Sequence, residues 1–192
     1  MLRLLTPENA GPERQYIAEV LFKQFLGLEF EICQHDRAEV MVTGDGERCL
    51  VLDDSFFSGM DGPLPREDKV PSLPLRRWAV AESDLEVTVA GPDLPVLFGD
   101  PLSNGSFIEV SERKIHLGID VLGSAFFMLT RYEELVSSER DEYDRFPASA
   151  SVAYKASFLE RPIVNEYVEV LWQCLERLWS GLVRRERRFR AI

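Results

Sequence analysis

Four consecutive polar residues, Arg131, Tyr132, Glu133 and Glu134, follow directly on an apolar run and bring a guanidinium, a phenol and two carboxylates to one place. Arg145, Tyr154, Lys155, Arg161, Asn165 and Glu166 join them downstream. Such groups can fork to hydroxyls and stack on a sugar ring, or grip a partner domain. The same types also build salt-bridge networks that fasten helices to a loop, with no ligand involved. The residues alone leave both uses open.

Two other constellations suggest metal chemistry. Asp53 and Asp54 close the apolar run of CLVLDDSFF, and paired aspartates at a strand end can hold a cation. A divalent-metal deacetylase site also asks for a histidine pair one turn apart, and His35 and His116 are far apart in the chain. Turn-forming acids are the plainer reading of Asp53 and Asp54. Asp93, Glu112 and Lys114 imitate the spacing with which some nucleases and metal-dependent hydrolases bind Mg²⁺ and steady the attacking water. Glu112, however, falls in an expected turn, and phosphate binding favours positive surroundings. Phosphate-loop, Gly-x-Ser-x-Gly and informative Cys–His patterns are absent from the sequence.

The balance of charge points away from polyanions. The chain carries a formal charge of -11, while 184–190 alone holds five arginines against one glutamate, so everything outside that stretch carries -15. An acidic body repels nucleic acid and anionic membrane at long range. No run approaches the ~20 apolar residues of a membrane span, and the opening residues lack the core of a signal peptide. A cytoplasmic protein without a membrane span or nucleic-acid partner is the expectation. The three cysteines, Cys33, Cys49 and Cys174, are odd in number and scattered, which fits free thiols in a reducing compartment.

The elements that position the polar groups can be read in order. Leu2, Leu4 and Leu5 suggest a first strand. Pro12 opens a helix with Ile17, Val20, Leu21 and Phe25 on its apolar stripe, and Gly27 stops it. Strands are expected at 29–33, 38–43 and 48–52 as an antiparallel meander, and again at 85–90 and 96–98. The proline-rich stretch 58–74 reads as a surface excursion. A hairpin over 107–117 then feeds a buried helix from Asp120 to Leu135, with Asp120 as its N-cap. Ser149 caps a short helix reaching Phe158, and Pro162 opens a long last helix through Val168, Leu171, Leu175 and Leu178. The expected class is α+β: a mixed, largely antiparallel sheet covered by a first and a last long helix, with a buried central helix.

The stretch from GSAFFMLTRYEEL through ERPIVNEYVEVLWQCLERLW resembles the N-terminal domain that precedes the catalytic domain in a group of bacterial polysaccharide deacetylase-family proteins. PERQYIAEVLFKQFLGLEFEI and LPVLFGDP are similar as well, so the likeness covers nearly the whole chain. The resemblance implies an accessory domain over 1–183, with 184–192 as a basic junction to a catalytic domain that this chain lacks. Any divalent metal would belong to that other domain, no cofactor is expected here, and no catalytic residue carries over. It also implies a role in bacterial surface polysaccharide biosynthesis or modification, through docking of a deacetylase domain in cis or in trans, or through positioning of a glycan. A sugar-binding module would show exposed aromatics beside a polar groove, with Tyr132, Tyr154 and Tyr167 the first candidates.

Overall fold

Strand β1, Leu2–Pro7, alternates strictly, with Leu2, Leu4 and Thr6 buried between the more exposed Arg3, Leu5 and Pro7. One face of a strand therefore seeks a core and the other does not. In the computed structural model, which describes residues 1–60, 62 and 64–185, β1 lies inside a six-stranded sheet. The remaining strands are β2, Phe30–His35; β3, Val40–Thr43; β4, Cys49–Leu52; and, beyond a two-stranded sheet of β5, Arg76–Trp78, and β6, Leu94–Val96, the hairpin of β7, Ile108–Val110, and β8, Lys114–Leu117. Their order in the large sheet is β2-β1-β3-β4-β8-β7. Two pairings, β1 with β2 and β4 with β8, are parallel, and the others are antiparallel.

The expected meander of the second, third and fourth strands is formed only between β3 and β4. Helix α1, Gly11–Ala18, lies between β1 and β2 in the chain, and such a crossover returns the second strand parallel to the first. Strand β3 then pairs on the opposite side of β1, so β2 and β3 are not neighbours. The helix continues as a π-helical segment, Glu19–Leu26, in which Leu21 and Leu26, five residues apart, are both fully buried. Gly27 ends it with φ 71°, a left-handed cap that favours glycine.

The central apolar run forms α2, Val121–Leu129, with Val121 to Phe127 buried, and Asp120 caps it by accepting the Gly123 N–H at 2.6 Å. The expected single helix to Leu135 breaks at Arg131, whose φ is 54°, and restarts as α3, Tyr132–Val136. The break turns Tyr132 into an aromatic cluster with Phe56, Phe126 and Phe127. Ser151, not Ser149, caps the short α4, Val152–Lys155. Pro162 precedes α5, Ile163–Leu178, which packs on β4, β8 and α2.

No strand forms over 85–90. Leu85 is drawn into the core, Val87 and Val89 pack partly against it, and the Ala90 N–H goes to the Glu166 side chain at 3.2 Å. The class is α+β, with the helices gathered on one face of the sheet, where Leu4, Val42, Leu50, Ile115 and Leu117 are almost fully buried. Cys33, Cys49 and Cys174 are free; only Cys174 is buried, and burial pushes its thiol up to about 12.

Candidate functional site

The turn at Arg131 sets the guanidinium outward, 74% exposed, where its Nε donates to Glu134 Oε1 at 2.7 Å. Across a cleft of about 590 Å³, Arg145 makes a second fork, from Nε at 3.1 Å and Nη2 at 2.9 Å to Asp141 Oδ2. Asp141 Oδ1 also accepts the N–H groups of Tyr143 and Arg145, so the loop is tied by a single carboxylate. The Arg145 backbone N–H, helped by its guanidinium, holds that carboxyl below its ordinary value. Arg140 caps the carbonyls of Glu134, Ser137 and Glu139. The result is an open cleft whose walls offer both hydrogen-bond donors and acceptors.

Only one of the three tyrosines first suggested is on the surface. Tyr154 is 56% exposed, whereas Tyr132 and Tyr167 are both buried. Tyr143, which the sequence did not single out, is 68% exposed, with the Arg145 guanidinium 4.8 Å above its ring. The Tyr132 hydroxyl accepts the Arg66 N–H at 2.6 Å and donates to the Arg66 carbonyl at 3.1 Å, tying down the proline-rich excursion. Tyr167 donates to Pro95 O at 2.6 Å and accepts from the Leu97 N–H at 3.1 Å, which anchors the small sheet.

The other sequence candidates separate. Glu133 turns toward α4 and accepts the Val152 N–H at 2.7 Å, and burial raises its carboxyl above the ordinary value. Lys155 sits 3.8 Å from Glu139. Arg161 and Glu166 form their own buried fork at 2.6 Å at the start of α5, with Asn165 half-buried nearby on that helix. Arg131, Glu134 and Arg145 line the polar cleft together; Glu133 borders an adjoining apolar one of about 310 Å³ between Phe127, Met128 and Phe146.

A second cleft, of about 480 Å³, opens where β1, β2 and β4 end, between Glu8, Asn9, His35, Asp36 and Asp54. Its floor is a buried pair: Arg14, 1% exposed, forks to both oxygens of Asp54 at 2.6 and 2.7 Å and also reaches Asn9. Asp120 lies behind this pair, fully buried, and accepts the Phe56 N–H at 2.8 Å besides its cap bond. Burial, then the neighbouring Asp54 charge, raise the Asp120 carboxyl well above its ordinary value. Burial raises Asp54 too, against the pull of Arg14. Sequence reasoning saw Asp54 and Asp120 separately and missed Arg14, which carries no local sign of a partner forty positions away.

The metal constellations do not gather. Asp53 bonds within its own turn to the Ser55 N–H, and Asp93 is held by Arg77 at 3.1 Å. Glu112 and Lys114 belong to the β7–β8 hairpin, whose Arg113 pairs with Glu47 in the β3–β4 turn, at the opposite end of the strands from Asp53 and Asp54. Among the described residues, no group of three or more His, Cys, Asp or Glu side chains is arranged to hold a metal ion.

A family described as a family of unknown function, DUF7033, matches residues 2–180. The chain belongs to this family. No match is found among the curated proteins or among the solved structures. The DUF7033 match stops just before the basic stretch, of which 186–192 lie outside the described residues. Arg184 and Arg185 are packed on the domain. Arg184 forks to Glu169 at 2.6 and 2.8 Å beside the Trp172 ring, and the Arg185 N–H donates to Leu26 O at 2.7 Å. Among the described residues no helix is long and apolar enough to cross a membrane.

Proposed function

We propose that this chain is a non-catalytic accessory domain that positions a glycan for a polysaccharide deacetylase acting on bacterial surface polysaccharide. The observation that carries the reading is the cleft between Arg131, Glu134 and Arg145, with Tyr143 exposed beside it under a guanidinium. Sugars are bound by this combination: the N–H groups and carboxylate lone pairs that the two forks leave over can meet hydroxyls, and the side of the Tyr143 ring away from Arg145 can stack on the apolar face of a pyranose. The forks are already formed without ligand, so less side-chain entropy is lost on binding. The deacetylase itself enters through the family resemblance of the sequence.

The anchoring of Arg184 and Arg185 favours a second, compatible role, docking of the catalytic domain, because it builds the first two arginines of the basic stretch into the domain surface. Both are tested by calorimetric titration with an oligomer of N-acetylglucosamine and, separately, with an expressed polysaccharide deacetylase domain. Glycan binding weakened at least tenfold by Arg145→Ala or Tyr143→Ala is the expected result. Absence of glycan binding, or binding untouched by either substitution, overturns the glycan reading.

A further inference from the structure

The helices cover only one face of the six-stranded sheet. The register places Cys33, Leu5, Met41, Val51 and His116 side by side in one row across the other face. A second row, Glu31, Arg3, Thr43, Cys49 and Lys114, runs beside it. Leu5, Cys33, Met41, Cys49 and His116 are half-buried, and Val51, though 2% exposed, does not belong to the main hydrophobic core. The side chains of this row shield one another, and the water-facing parts of Leu5, Cys33 and Met41 form a modest apolar strip that a second surface can cover.

We propose that this face is where two copies of the chain associate, sheet against sheet. The charges select the occupant. Glu31 on β2 and Lys114 on β8 stand at the same level, equally far to either side of β3. A two-fold axis lying between the two sheets and running along β3 sets Glu31 of each copy over Lys114 of the other. The same operation sets Leu5 over Val51 and Met41 over Met41, so apolar groups meet apolar groups along the row. An isologous contact needs this self-complementarity, and sheets packed face to face at about 10 Å with their strands nearly aligned supply the geometry. The surface is separate from the polar cleft, which stays open in the dimer.

Sedimentation equilibrium over a concentration series tests the arrangement, with circular dichroism to check each variant's fold. The intact chain is expected to dimerise reversibly. Lys114→Glu sets like charges against each other twice and should weaken the dimer at least tenfold, as should Met41→Glu at the axis. Glu31→Lys combined with Lys114→Glu restores opposite charges and should recover the dimer; the Arg3–Glu31 pair thereby lost, 3.8 Å apart and exposed, contributes little to the fold. A chain that stays monomeric throughout the series, a dimer indifferent to Lys114→Glu and Met41→Glu, or a double variant that fails to recover overturns the proposal.

Discussion

Replacing Asp120 by asparagine keeps the shape of the side chain and removes its ability to accept two hydrogen bonds. In the native protein one oxygen receives the Gly123 N–H at 2.6 Å and the other the Phe56 N–H at 2.8 Å. An amide can serve only one of these, and its NH2 would face the other donor. Leaving a buried N–H unmet costs about 1–3 kcal/mol, so a loss of about 2 kcal/mol is expected at pH 4. The pH dependence sharpens the test. The folded pKa of Asp120 lies well above the ordinary value of about 3.9, so its contribution to stability is fully present below pH ~3.9 and is lost as pH rises through the folded pKa. Asparagine does not titrate. Urea unfolding of both proteins between pH 4 and 8 should show the native protein's advantage shrinking as pH rises. An advantage that stays constant, or widens, would refute the upward shift of the Asp120 carboxyl.

Three further outcomes are expected. Arg14→Met strands Asp54 in the interior and should cost about 3–5 kcal/mol in urea unfolding near neutral pH, with a smaller loss at acid pH, where the stranded carboxyl takes up a proton. Tyr132→Phe removes both bonds to Arg66, costs about 1–2 kcal/mol, and should speed proteolytic cleavage within 62–70. At concentrations where the protein is monomeric, a thiol reagent at pH 8 should label Cys33 and, more slowly because partial burial raises its thiol, Cys49 in the folded protein, and reach Cys174 only after denaturation, because that thiol is buried and held up to about 12.

What could be read from the sequence was what the chain specifies locally. The Asp120 cap, the Gly27 stop, the β7–β8 hairpin and the register of α5 each depend on residues a few positions apart, and each is found. The forks Arg131–Glu134 and Arg145–Asp141 are likewise close in sequence, which is why part of the polar cleft was visible. The crossover of β1 and β2 was not, since pairing across an intervening helix leaves no mark on either strand's alternation. Leu85, Val87 and Val89 alternate as a strand would, yet the core takes the first of them and Glu166 takes the backbone donor that follows the last. Tyr132 and Tyr167 looked like surface candidates because a tyrosine's hydroxyl can be met by a distant backbone as well as by water.

The left-handed turn at Arg131 bears on what the position is kept for. A side chain there carries a conformational cost, roughly 1–2 kcal/mol for a residue other than glycine or asparagine. Glycine would escape it, while giving up the guanidinium that lines the cleft. Arg131→Gly should therefore leave the fold as stable as before or slightly more so, and impoverish the cleft at the same stroke. One substitution at this position thus pulls the two in opposite directions, easing the backbone while taking a charged group from the cleft.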